Sequence, residues 1–409
     1  MTNQRYDVAI GGASLTGLAL ALALKATLGD DLRVAVLARQ SAEYAGEDPR
    51  AFAISAASVQ LLRLIGVWPG VAAQAQPVAK INITAGKLES DARQTLLSYD
   101  NHMDAGDVAS HILPAPLLRT ALLCAAEAAK ILALPGPPVS QIATTPEGLL
   151  IERAVAEPIV AQLVVAAEGR RSTIRDLAGI KVVNWAYAQS AIVTTIGHSE
   201  PHCGVATQHF LEAGPFAILP LLGGHRSSLV WTEASAEAER VMALDDAGFL
   251  AALEQRFGGI LGKLALAGAR ASQPLDLQLA RSLVADRVAI VGDAARTVHP
   301  IAGQGLNLGL RDVAALTECI ADTARLGLDI GSRETLARYE QWRRFDGAMS
   351  AAAMDGLNRL FSNDNPALRI LREAGLGLTD RLPGLKRMFV AEAAGLTGTA
   401  PKLLQGELP

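Results

Sequence analysis

Aromatic side chains are scarce in this chain: they make up 4% of its 409 residues, although 50% are hydrophobic. A core large enough for two domains, or for one large domain with an inserted lobe, must therefore be packed mainly from Ala, Leu and Val. Cysteine is rarer still. Cys124, Cys203 and Cys319 stand far apart without metal-type spacing, which fits structural thiols in a reducing compartment and argues against a metal centre. Positive charge is not in excess either: a net charge of −4 and a pI near 6.0 supply no basic field for nucleic acid. No apolar run reaches the roughly 20 residues needed to cross a bilayer; Leu18 to Leu24 stops at Lys25. The N-terminus carries no basic leader, and Gly11, Gly12 and Gly17 interrupt its apolar stretch, so a cytoplasmic protein without a signal peptide is expected. A mean hydropathy of +0.25 leaves contact with the inner face of a membrane open. Internal repeats and low-complexity tracts are absent.

What is present is a nucleotide-fold pattern. Residues 6–10 form a short apolar run, followed by a Gly/Ser turn, an Ala/Leu helix and a second apolar run from Leu32 to Leu37, the opening of a βαβ unit. Asp48 to Val67 begins with an Asp-Pro-Arg turn and continues with helical spacing at Ile54, Val59, Leu62 and Ile65. Residues 76–100 alternate as strands, 114–130 return to helix, and Leu163 to Ala167 is a buried strand ending at Glu168-Gly169. Alternating strands and Gly/Pro turns fill residues 181–275, parallel-type strands resume at Val288 to Val291, and the chain beyond Leu310 is largely helical. The expected fold is α/β: a doubly wound, Rossmann-like nucleotide domain of residues 1–75, 105–180 and 276–340 is interrupted by a mostly antiparallel β-sheet substrate domain of residues 76–104 and 181–275, with C-terminal helices over 341–409. Ligands are expected between the two.

Three motifs carry the chemistry. Gly12-Ala13-Ser14-Leu15-Thr16-Gly17 joins a strand to a helix, where a dinucleotide loop needs glycine for the tight turn, the approach of the diphosphate and helix-on-strand packing. Ser14 replaces the middle glycine, and Gly11 adds slack. The acid expected at the end of the second strand for ribose hydroxyls is missing: Ala38 stands there, and Arg39 next to it either is solvated or touches ribose or phosphate. The third motif is the strongest. A buried strand ends at Gly292-Asp293, and Gly303-Gln304-Gly305-Leu306-Asn307 then opens a helix. The acid accepts from polyol hydroxyls or caps the next helix, while the positive helix end faces negative charge on a ring cofactor.

These segments resemble the group A flavoprotein aromatic hydroxylases, and most closely the ubiquinone-biosynthesis FAD-dependent hydroxylases. Further shared runs are Asp48-Pro49-Arg50-Ala51-Phe52-Ala53-Ile54-Ser55, Gly66-Val67-Trp68, Ala167-Glu168-Gly169-Arg170-Arg171-Ser172, Gly214 to Pro220, and Asp355 to Phe361. The resemblance implies FAD across the βαβ domain, with Asp293 on the ribityl chain and Arg50 near flavin and diphosphate. The implied cofactor contacts are Gly12, Ser14, Leu15, Thr16, Gly17, Arg39, Arg50, Arg119, Glu168, Gly169, Gly292, Asp293, Gly303, Gly305, Leu306 and Asn307. The family's Asp-Gly motif appears as Glu168-Gly169, and its usual His after Gly-Asp-Ala-Ala as Arg296, with His299-Pro300 retained. Phe216, Ile218 and Pro220, with His299 and Pro300, are expected to line the substrate pocket.

No side chain needs to act covalently, because a flavin C4a-hydroperoxide would carry the hydroxylation while the protein supplies a dry pocket and electrostatics. The implied activity is an FAD-dependent monooxygenase that hydroxylates a polyprenylated phenol with O2, with NAD(P)H as transient reductant. His209 and His225 are candidate proton handlers to which no catalytic role is given. Lys386 to Val390 pairs cations with apolar residues, as a helix on an anionic membrane or a packed terminal helix would. Membership of a quinone-biosynthesis complex and an oligomer are left open. Two alternatives remain: a catalytically silent, FAD-poor lipid-binding subunit of such a complex, motivated by Ser14, Ala38, Glu168 and Arg296, and a flavin hydroxylase of a soluble aromatic.

Overall fold

A computed structural model describes residues 4–39, 48–85, 94–103, 106–299, 303–361, 390–391, 393–396 and 398–409. The apolar run near the N-terminus becomes the strand Gln4–Gly11, with Val8, Ala9 and Ile10 fully buried. It lies inside an eight-stranded sheet, parallel to Val34–Arg39 on one side and to Ile159–Ala166 on the other. Val288–Ile290 pairs parallel beyond Ile159–Ala166, and Leu132–Gly136 beyond Val34–Arg39. The inner strands, buried on both faces, read as continuous apolar runs without alternation, whereas Leu132–Gly136 is a largely exposed edge strand. The helix Leu15–Leu28 buries every residue from Gly17 to Leu24. It is enclosed between the sheet and the helices Gly305–Arg325 and Ala115–Ala128, so it is apolar all round rather than amphipathic.

A second, nine-stranded sheet holds Lys80–Ala85, Gln94–Asp100, Val205–Leu211, Gly214–Leu221, Arg226–Ala234, Val182–His198 and Ala271–Ala280. Its strand Val182–His198 pairs with Ala271–Ala280 from Val182 to Val193, with a bulge between Ala186 and Gln189, and with Leu264–Leu266 from Ile196 to His198. Two expectations need correcting. The segment 181–275 is not all strand: Ser235–Met242 and Asp246–Phe257 are helices that cover one sheet face, packing Phe249 and Phe257 on Phe216 and Trp231. Nor is Asp48 to Val67 one helix. Ala51–Ser55 is a strand of a small three-stranded sheet with Ser110–Pro114 and Gln76–Pro77, and the helix begins at Ala56, capped by the Ser55 hydroxyl. Ile54 reads as the first apolar position of a helix, but its backbone is claimed by the ladder to His111.

The long helix Arg333–Phe361 docks through the Tyr339 hydroxyl, which donates to the Ile290 carbonyl at 2.8 Å. Asp355 to Phe361 lies at its end. The chain then returns: Ala57 N–H donates to the Ala394 carbonyl, Trp342 to the Thr399 carbonyl, and Leu403 and Leu404 are buried. Of Lys386 to Val390 only Val390 is among the described residues. No described helix is long and apolar enough to cross a membrane. Cys124, Cys203 and Cys319 are free thiols, and burial pushes Cys319 up to about 11.

Candidate functional site

Gly12, Glu168 and Gly292 stand at the C-terminal ends of three adjacent parallel strands, the place where doubly wound sheets bind ligands. Gly12 has φ +99°, and a Cβ there would lie 2.8 Å from the Ala167 carbonyl oxygen. At Gly17 a Cβ would lie 2.1 Å from the Gly12 carbonyl oxygen. Ser14 has a structural occupation: its hydroxyl donates to the Ala167 carbonyl (2.8 Å) and accepts from Gly17 N–H (3.0 Å), capping the buried helix. The N–H groups of Leu15 and Thr16 lie in that helix's first turn, where no intrahelical acceptor exists. Thr16 also packs against the Gly292-Asp293 turn, since a Cβ on Gly292 (φ +61°) would sit 2.9 Å from its Oγ1 and one on Gly309 3.1 Å from it.

Asp293 follows in a 3-10 turn, Gly292–Ala294. Its side chain is accessible, yet burial pushes its pKa up, with the Arg50 charge opposing. A group that is both reachable and crowded lies in a concave recess, poorly solvated until hydroxyl donors arrive. Behind the turn, Asp312 is fully buried and accepts from Gly292 N–H (3.1 Å), from Arg296 Nη1 (2.8 Å) and from Arg343 Nε (2.8 Å). Arg296 thus belongs to a buried Arg–Asp–Arg cluster that braces the turn through the Gly292 N–H. Room for its guanidinium is made by Gly347, where a Cβ would lie 2.6 Å from Arg296 Nε.

Gly303 (φ +62°) brings the third segment within 3.2 Å of Ala53, measured from its would-be Cβ, and Gly305 and Leu306 begin the helix. Asn307 uses its side chain to hold neighbouring backbone: Nδ2 donates to the Ala53 carbonyl (2.8 Å), and Oδ1 accepts from Ser55 N–H (3.1 Å) and Ser58 Oγ (2.9 Å). Arg50 forks onto Asp48 at 2.7–3.1 Å. Burial raises the Asp48 carboxyl, but the Arg50 hydrogen bonds and the charges of Arg50 and Arg119 leave it below its usual range. Arg39 pairs through its backbone with Gly136, and its side chain lies outside the described residues. Glu168 Oε2 accepts from Ser172 Oγ and Ile174 N–H, both at 2.8 Å, so the carboxylate caps the helix Thr173–Leu177, and Gly169 (φ +79°) turns the chain.

The expected substrate wall is turned the other way. Phe216 and Ile218 are buried under the helices Ser235–Met242 and Asp246–Phe257, and alternation puts Pro220 on the same face. Leu219 and Leu221 face the opposite side, packing with Ile81, Ala51 and Ala53 beside the Gly303 segment. His209 bonds Thr84 and stacks on Phe216, hence on the helix-covered face, and His225 bonds the His198 carbonyl at a turn. His299 is buried beside Tyr187 (5.4 Å, edge-on), and Pro300 lies outside the described residues. Sequence reading missed Gly309, Asp312, Arg343 and Gly347. Gly305 and Gly309 are four apart on one helix face, a spacing that signals close approach. No group of metal-ligating residues occurs among the described residues.

The arrangement fits a dinucleotide carrying a polyol: backbone meets the ligand where Cβ atoms are excluded, a helix end faces the diphosphate, and a carboxylate awaits hydroxyls. A family described as FAD binding domain matches residues 5–351. The chain is 40% identical to ubiquinone hydroxylase UbiL of Rhodospirillum rubrum, over 98% of this chain and 92% of that protein. It is 35% identical to 3-demethoxyubiquinol 3-hydroxylase of Escherichia coli, over 97% and 100%. The p-nitrophenol 4-monooxygenase PnpA of Pseudomonas putida superposes with a TM-score of 0.79 over 97% of this chain and 99% of that one; at 18% identity the likeness concerns the fold.

Proposed function

Because this chain belongs to the FAD-binding family of flavoprotein monooxygenases, we propose that it hydroxylates the aromatic ring of a polyprenylated phenol or quinone precursor in ubiquinone biosynthesis, with O2 and NAD(P)H as co-substrates. Bound FAD supplies the activation of O2 and the transfer of one oxygen atom to an electron-rich ring. Asp293 holds the polyol chain, the Gly12–Gly17 loop with the helix end at Leu15 holds the diphosphate, and the Gly305 helix end faces the ring system, where negative charge develops on reduction. Arg50 and Arg119 add positive charge beside it. The observation that carries the substrate reading is the aliphatic sheet face of Leu219 and Leu221 packed toward the Gly303 segment through Ala53: such a wall excludes water and suits a greasy substrate.

The prenyl tail motivates access from a membrane face and association with other quinone-pathway proteins, which belong to the proposal. Of the four positions behind the silent-subunit reading, Ser14, Glu168 and Arg296 each make defined hydrogen bonds that keep the site in shape, and Ala38 alone, near the end of Val34–Arg39, offers no acceptor for the ribose. The test is turnover of the FAD-loaded protein with NADH or NADPH and isotopically labelled O2. The expected product is a prenylated ring carrying one labelled oxygen, formed faster than from a short phenol. Nicotinamide oxidation that yields only hydrogen peroxide with every phenol tried would refute it.

A further inference from the structure

The sheet face that looks toward the Gly303 segment has a chemical character of its own. In the strands Val205–Leu211, Gly214–Leu221 and Arg226–Ala234, register places Gln208 beside Ala217, Ala217 beside Val230, and Ser228 beside Leu219. Alternation puts all five on the face of Leu219, opposite Phe216 and Trp231. Ala217, Leu219 and Val230 are partly exposed and form an aliphatic floor. Beside that floor, Gln208 Nε2 and Ser228 Oγ are buried without a hydrogen-bond partner among the described residues.

A buried amide N–H or hydroxyl with no partner is uncommon in a folded protein and calls for an acceptor brought from outside. From Ala206 to Thr232 the one titratable side chain on this face of the three strands is Arg226, paired with Leu221 at the strand end, where it is exposed with its guanidinium near the Ala267 carbonyl rather than over Ala217 and Val230. An apolar floor with a few neutral donors recognises a neutral ring bearing oxygen substituents. It gives no cation to an aromatic carboxylate, whose desolvation would go uncompensated.

We propose that Gln208 and Ser228 form the ring subsite: they donate to oxygen substituents of a neutral aromatic lying on Ala217 and Val230, and the subsite rejects the same ring carrying a carboxylate. This rests on the hydroxylase reading for the ring's place, while its test reads binding rather than turnover. Calorimetric titration of the full-length, FAD-loaded protein near pH 7.5 uses three ligands with one short prenyl tail: a methoxyphenol, the corresponding hydroxybenzoate, and the bare prenylbenzene. The phenol binds at least about tenfold tighter than the benzoate. Gln208→Leu weakens the phenol by about 10- to 100-fold and leaves the prenylbenzene unchanged, and Ser228→Ala acts in the same sense. Benzoate binding as tight as phenol, or a Gln208→Leu loss equal for phenol and prenylbenzene, overturns the subsite. The expected binding pattern without any hydroxylated product supports the subsite and overturns the hydroxylase reading.

Discussion

Asp293 shows how function can be set against stability at one residue. Burial raises its folded-state pKa above the unfolded value, so ionisation favours unfolding: the cost is absent below the ordinary aspartate range and develops as pH rises through the raised value. Asp293→Asn is therefore expected to raise the Tm of the FAD-free protein at pH 7 and to lose that advantage near pH 3, measured by thermal melts across pH. Arg296 carries the opposite prediction. Arg296→Gln leaves Asp312 short of one buried partner and is expected to lower unfolding stability by about 3 kcal/mol, read from denaturant midpoints. Asp293 was legible in the sequence because strand, acid and glycine loop follow in order. Arg296 was visible only as a departure; its partners, Asp312, Arg343 and Gly347, are 16 to 51 residues further along, and only the docking of the two helices brings them together.

Strand parity decides the next scale. The run Gly214–Leu221 is apolar at nearly every position, so sequence alone gives the strand without saying which face meets solvent, ligand or helix; the helices Ser235–Met242 and Asp246–Phe257 settle it. Those helices were overlooked because their Ala-rich, charged sequence sits among strong strand signals. The same logic hid the strand Ala51–Ser55, whose conformation comes from its partner Ser110–Pro114 rather than from its own spacing. Phe216→Ala, on the helix-covered face, is expected to cost about 3–5 kcal/mol of stability while leaving the ratio of kcat/KM between long- and short-tailed phenols unchanged. Ala217→Phe, one position along, is expected to raise KM for the prenylated substrate with a smaller stability loss. The two variants compared in denaturant melts and steady-state kinetics check the assignment of faces.

Over the whole molecule, the parallel sheet, the inserted and mostly antiparallel sheet and the helical character beyond Leu310 were readable from runs, alternation and turns, while the strand order was not. The return of the C-terminal segment was not, because Leu403 and Leu404 are two short apolar residues in a polar tail, and only tertiary packing buries them against the helices Ala56–Leu64 and Gly305–Arg325. Removing residues 390–409 is expected to cost at least about 3–6 kcal/mol from those two side chains and to weaken the Gly303–Asn307 segment that the helix supports, seen as a lower Tm and faster FAD loss on dilution. The grip of the acid-tipped turn on FAD underlies everything else, and fluorescence titration of FAD into the FAD-free protein at pH 7.5, wild type beside Asp293→Asn, tests it most directly. Saturable binding by the wild type, weakened at least about tenfold by the substitution, is the expected result. Equal affinity in both proteins, or no binding in either, would contradict it.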